Sequence, residues 1–120
     1  YHTNVILTIG SDFAVICNEC FEDELEWIAV SQLLRTTGHR IITISQQQVK
    51  AFAGNMLQVK NNKGESFLVM SQTAFLSLST KQRMLLEISC TLLPVKIPTI
   101  ETLGGGSARC MMAEIFFKKK

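Results

Sequence analysis

The chain has 120 residues, 47% of them hydrophobic, and a formal net charge of +2, which suits one domain around one core. Three of the twelve basic residues are the solvated tail Lys118, Lys119 and Lys120, and no basic face is interleaved with aromatics, so nucleic acid is excluded as the expected partner. No apolar run reaches the ~18 residues of a membrane span and no signal peptide is visible, so no membrane partner is expected either.

In chain order, Asn4–Ile9 is rich in β-branched residues and reads as a buried strand. Gly10-Ser11-Asp12 is a turn and Phe13–Cys17 a second strand, so residues 4–17 predict a hairpin. Asp23 to Thr37 predicts a helix, with Leu25, Ile28, Ala29, Leu33 and Leu34 at helical spacing and Trp27 on a flank. Glu22, Asp23, Glu24 and Glu26 crowd its start, where the helix dipole favours anions, and Gly38 is the expected C-terminal cap.

Arg40–Ser45 predicts a third strand and Gln46–Phe52 a short helix ended at Gly54. Asn55–Val59 and Ser66–Met70 predict a second hairpin around the turn Asn61-Asn62-Lys63-Gly64. Ser71–Leu78 holds a helical turn, and Ser79 or Thr80 caps a helix from Lys81 to about Cys90, with Met84, Leu85 and Ile88 on one face. Leu92–Lys96 predicts an edge strand, since Pro94 cannot donate to a ladder. A last strand is expected over Met111–Phe117.

Hairpin, helix and strand thus occur twice, an internal β-β-α-β repeat of about 50 residues, with part of a third unit after it. A closed array needs more units, and the chain opens on Tyr1-His2-Thr3-Asn4 rather than Met. The expectation is one domain over residues 1–120 that is the C-terminal piece of a longer protein.

The cysteines are Cys17, Cys20, Cys90 and Cys110. Cys17 and Cys20 have CxxC spacing, but Cys90 and Cys110 supply no second pair and His39 no partner spacing, so no metal site is expected. Cys17 lies in the strand-like run Phe13–Cys20, so both thiols are expected at strand positions. Four reduced thiols point to a cytoplasmic protein.

Cys110 is different. It follows Gly104, Gly105 and Gly106, a run whose backbone N–H groups are open to a ligand, and it follows Arg109 directly. Exposed N–H groups and a nearby cation favour thiolate over thiol, so Cys110 at the mouth of the last strand is a candidate nucleophile.

Four segments carry a family resemblance: Tyr1–Val5, Phe52–Met56, Val69–Gln72, and Ile100-Glu-Thr-Leu-Gly-Gly-Gly-Ser-Ala-Arg-Cys-Met-Met-Ala-Glu-Ile-Phe116. In these the chain resembles the guanidino-group-modifying superfamily of arginine deiminases, dimethylarginine dimethylaminohydrolases and amidinotransferases, and most of all its citrulline-utilisation hydrolase or amidinotransferase-like branch. The resemblance implies an α+β fold, with the β-β-α-β repeats forming part of a pentein-like α/β-propeller around a polar axial site. It implies Cys110 as nucleophile and His2 as general acid/base, with no metal and no organic cofactor. Its implied partner is a small guanidino or ureido amino acid bound by Asn4, Gly105, Gly106 and Arg109.

The chemistry fits those types. A guanidinium or ureido carbon is a poor electrophile, and breaking its C–N bond calls for capture by a soft thiolate. The leaving amine needs a proton that a histidine can supply near neutral pH. Asn4 stands where the deiminases carry an aspartate; being uncharged, it admits a neutral ureido substrate such as citrulline, or it simply bonds to backbone at a strand start. Asn55, at the matching place in the next repeat, is read as structural. Arg109 either favours the thiolate or a substrate carboxylate, or pairs with a neighbour such as Glu114; strand alternation would put its side chain opposite that of Cys110. The acidic site residues of the superfamily have no counterpart here, so little or no turnover is expected of these residues alone.

Two other readings compete. An amine acceptor in place of water would make the protein an amidinotransferase. Alternatively the chain is a stand-alone α+β interaction module in which Cys110 is a buried core thiol. The open strand edges of an incomplete propeller favour self-association into a homo-oligomer.

Overall fold

The computed structural model describes residues 5–97 and 107–111. Strand β1 (Leu7–Ile9) turns back on β2 (Phe13–Ile16) in an antiparallel hairpin, with Leu7 opposite Ile16 and Ile9 opposite Ala14. Helix α1 (Glu24–Thr36) then returns the chain to β3 (Arg40–Thr43), which runs parallel to β2 with Phe13 opposite Arg40. After the short helix α2 (Gln46–Lys50) the same sequence of events recurs. β4 (Leu57–Lys60) and β5 (Ser66–Ser71) form an antiparallel hairpin, helices α3 (Gln72–Ser77) and α4 (Thr80–Glu87) follow, and β6 (Thr91–Val95) pairs in parallel with β5. The result is an α+β fold of two three-stranded sheets, ordered β1-β2-β3 and β4-β5-β6. The two β-β-α-β units read from the sequence are therefore present. Pro94 lies on β6 opposite Met70, at an edge of its sheet, as its missing N–H requires.

Local chemistry sets the helix ends. Asp23 caps α1 by accepting the Leu25 N–H at 2.9 Å. At the other end Gly38 takes φ +84°, and the Gly38 and His39 N–H groups bond back to Arg35 and Leu34 at 3.0 and 2.9 Å. That is a Schellman ending, where a residue with φ > 0 is needed. Ser45 with Gln48, and Ser79 with Gln82, form capping boxes at the starts of α2 and α4. The same two glutamines also join the units: Gln48 Nε2 donates to Gln82 Oε1 at 2.7 Å, and Gln82 Nε2 donates to the Thr43 carbonyl at 2.8 Å.

One apolar cluster spans both units. Phe13, Val15, Cys17, Ile42 and Ile44 from the first pack with Met56, Leu68, Met70, Ala74, Leu78, Leu86 and Cys90 from the second. The alternate β2 residues Ala14 and Ile16 face a smaller cluster under α1, so β2 is buried on both faces.

The helix faces differ from expectation. On α1 the buried stripe is Ser31 and Leu34 with Trp27 and Val30 beside them, while Leu25 and Leu33 are 73% and 65% exposed. The spacing 27, 30, 31, 34 is as helical as the expected one. Ser31 made it look polar, but its hydroxyl is satisfied by the Ile28 carbonyl at 3.0 Å and so can be buried. On α4 the fully buried residue is Leu86, with Leu85 partly buried, while Met84 and Ile88 are exposed. Cys17 and Cys20 also depart from strand positions. Cys17 follows β2, and Asn18–Cys20 forms a 3-10 turn held where the Gln46 N–H donates to Glu19 Oε2 at 3.0 Å. The turn folds the two sulfurs together at 2.6 Å.

Candidate functional site

The site begins at the exit from α2. The Phe52 and Ala53 N–H groups bond back to Val49 and Gln48, each at 2.9 Å, in a second Schellman ending. Here the left-handed position is filled by Phe52, at φ +67°, with no glycine to make it easy. The turn sends residues 53–56 directly under the start of β1. A Cβ on Gly54 would run into the backbone of Val5 and Ile6, so only glycine allows the approach. Thr8, 4% exposed, fastens the junction: its hydroxyl donates to the Gly54 carbonyl at 2.9 Å and accepts the Met56 N–H at 3.2 Å.

The next residue, Asn55, is 2% exposed and reaches Cys110. Its Nδ2 donates to Cys110 Sγ at 3.2 Å, and its Oδ1 accepts the Cys110 N–H at 3.4 Å. Cys110 lies in a 3-10 turn, Ala108–Met111, in which its N–H also donates to the Ser107 carbonyl at 3.0 Å. Ser107 and Ala108 are buried against the molecule, the turn packs on β5, and Cys110 itself is exposed. An exposed thiol on a buried foundation can meet a ligand without losing its position.

This geometry adds a contact to one expectation and corrects two others. Asn55, read as structural, touches the candidate nucleophile. The repeat was the signal that could have found it, because Asn55 occupies the place that Asn4 holds in the preceding unit. Cys110 is not the buried core thiol that the interaction-module reading needs. Arg109 sits half-buried in the 3-10 turn rather than on a strand, so its direction relative to Cys110 is not set by two-residue alternation. His2, Asn4, Gly104, Gly105, Gly106, Glu114 and the expected strand after Met111 lie outside the described residues.

The remaining polar and sulfur groups have other work. His39 bridges the α1 ending to the hairpin, with Nδ1 at 2.8 Å from Thr37 Oγ1 and Nε2 at 3.1 Å from the Gly10 carbonyl. Burial pushes the Cys17 thiol up, and neighbouring Cys20 adds to the rise. Burial likewise pushes Cys90 up to about 11, assisted by the Asp12 carboxylate and opposed by Arg40. Both groups are therefore neutral thiols of the core. Among the described residues no three His, Cys, Asp or Glu side chains converge as a metal site, and no helix is long and apolar enough to cross a membrane. A groove of about 430 Å³ beside β6, lined by Phe75, Glu87, Cys90, Thr91, Leu92 and Pro94, is separate from Cys110.

Three comparisons bear on this arrangement. A family profile described as N,N dimethylarginine dimethylhydrolase, eukaryotic, matches residues 1–117. No curated protein matches the chain. Among solved structures the chain is similar to ArgZ, an arginine dihydrolase from the ornithine-ammonia cycle in cyanobacteria, with a TM-score of 0.66 and 16% identity over 92% of this chain. It is also similar to the N-terminal domain of a cysteine-to-serine ArgZ variant bound to substrate, with a TM-score of 0.63 and 16% identity over 91% of this chain. At that identity the likeness is one of fold. The chain spans 15% of the first structure and 36% of the second.

Proposed function

The chain belongs to the N,N-dimethylarginine dimethylhydrolase family, within the guanidino-group-modifying pentein superfamily, and from that premise we propose a cysteine-dependent hydrolase of linear guanidino or ureido C–N bonds. The observation that carries the reading is Cys110: an exposed thiol on a 3-10 turn entered through buried Ser107 and Ala108, with a side-chain amide N–H aimed at its sulfur. In the proposed reaction the Cys110 thiolate adds to the guanidino or ureido carbon. The C–N bond to the leaving amine then breaks, the electron pair departs with nitrogen, and His2 supplies the proton. Water next attacks the S-linked adduct and gives its proton to His2. The C–S bond breaks and the thiolate returns.

Asn4, Gly105, Gly106 and Arg109 are the proposed substrate contacts. The substrate is a small amino acid with a guanidino or ureido end. The β-β-α-β units would be two blades of a propeller whose axis holds the site, in a cytoplasmic protein whose thiols stay reduced and whose open strand edges favour self-association.

Incubation of the protein with dimethylarginine, arginine and citrulline separately tests the reading, with amine release measured and the intact mass followed. A mass adduct that maps to Cys110 is expected, with at most about one equivalent of amine released by residues 1–120 alone, and neither signal from Cys110→Ser. Release that survives Cys110→Ser, or no adduct with any of the three, overturns it, and sustained turnover by residues 1–120 alone refutes the expectation that they lack part of the site. An adduct discharged only by an added amine would identify amidino transfer instead.

A further inference from the structure

We propose that Asn55 is the positioning residue of the Cys110 nucleophile: one buried amide anchors the 3-10 turn through its oxygen and holds the sulfur as a hydrogen-bond acceptor through its nitrogen. The inference rests on reading Cys110 as the reactive thiol, and it deepens that reading with a role that the family resemblance does not assign to Asn55.

The orientation of the amide follows from its partners. Cys110 N–H is a donor and cannot face another donor, so the group 3.4 Å from it is Oδ1. The planar amide then directs Nδ2 toward Sγ, at 3.2 Å. An N–H donor toward sulfur favours the charged acceptor, the thiolate, over the neutral thiol. Because Asn55 is 2% exposed, water does not compete strongly for that N–H.

The elements behind Asn55 are built to keep it there. Phe52 accepts a left-handed backbone, at a cost of about 1 kcal/mol or more. Gly54 gives up its Cβ to let the segment pass under Val5 and Ile6, and Thr8 ties the residues on either side of Asn55. A loop needing only to connect α2 to β4 has no use for these constraints. The constraints that close the junction between the units also fix the Asn55 amide within reach of Cys110 Sγ.

The test reads thiol reactivity, without substrate, by mass-spectrometric mapping of iodoacetamide alkylation. Asn55→Asp keeps the oxygen that anchors the Cys110 N–H and replaces the donor with an anion. Near pH 7 it is expected to slow Cys110 alkylation about ten- to a hundredfold, with the deficit shrinking as the pH rises toward about 10 and base ionises the thiol regardless. Labelling of Cys20 should be unchanged. A rate within twofold of wild type, or a deficit constant at every pH, overturns the proposal.

Should Asn55→Asp fail to fold, the unmodified protein still decides the matter. The Asn55 side-chain amide NMR signals should move as Cys110 ionises and lose that movement once Cys110 is alkylated; signals indifferent to both overturn the proposal. The two readings fail separately. Normal Asn55 dependence with no C–N cleavage defeats the proposed hydrolase alone, and cleavage with no Asn55 dependence defeats this inference alone.

Discussion

Gly54→Ala probes the junction between the two units through a single methyl group. A Cβ there meets the Val5 carbonyl group and Ile6 Cα, all backbone atoms, so no side chain can swing away to relieve the clash. Overpacking of a closed site costs about 1–3 kcal/mol. Retreat of residues 53–56 also stretches the Thr8 hydroxyl bonds to Gly54 and Met56, which adds about 1 kcal/mol. The expected loss is about 2–4 kcal/mol, read as a shift of the urea midpoint at constant slope.

Gly38→Ala is the matched control. Its Cβ would meet open space, but its φ of +84° strains any side chain, a cost of about 1 kcal/mol. Thr8→Val removes the bonds without the clash, and combined with Gly54→Ala it should cost less than the two changes added, by about 1 kcal/mol. A Gly54→Ala protein no less stable than Gly38→Ala would refute the claim that backbone contact closes this junction.

Two further outcomes are expected. Ser45→Ala and Ser79→Ala each remove a capping box and should each cost about 1 kcal/mol in chemical denaturation; no change in either would deny the caps a role. Cys90, raised from 9.0 to about 11 by burial, stays protonated in the folded state while the unfolded chain ionises. Its contribution is therefore complete below about pH 9 and is lost toward about pH 11, at up to about 1.4 kcal/mol per pH unit. Cys17 acts in the same direction. Denaturation at about pH 8 and about pH 10.5 should show a smaller alkaline loss in Cys90→Val than in wild type, and equal losses would count against the burial argument.

Features fixed by neighbours in sequence were legible before the structure. The hairpin turns, the Ser79 cap and Gly38 depend on bonds that close within a few residues. The β-β-α-β repeat emerged by adding them up. Which face a helix buries was not legible, because α1 carries two stripes of equal period and only the position of β2 and β3 selects the one with Ser31 and Leu34. The turn conformation at Cys20 and Cys110 was likewise hidden. Strand and 3-10 turn differ there through partners far away in the chain: Gln46 bonding to Glu19 for the first, and Asn55 bonding to Cys110 for the second. Asn55 read as a structural residue at a strand start because nothing in its local sequence points to a sulfur 55 residues away.

The apolar cluster that spans both units sets how the molecule opens. Neither sheet owns a complete interior: Phe13 and Val15 need Met56, Leu68 and Met70 beside them, and the reverse holds. Detaching either unit strips the other, so amide protons on β2 and β5 should exchange with deuterated solvent through one shared opening rather than two. The neighbours of Asn55 sit at that junction: Gly54 lies against Val5 and Ile6, and Met56 belongs to the cluster. Opening the cluster therefore also frees the segment that presents the Asn55 amide to Cys110, and exchange at β2 and β5 should track the loss of that pairing.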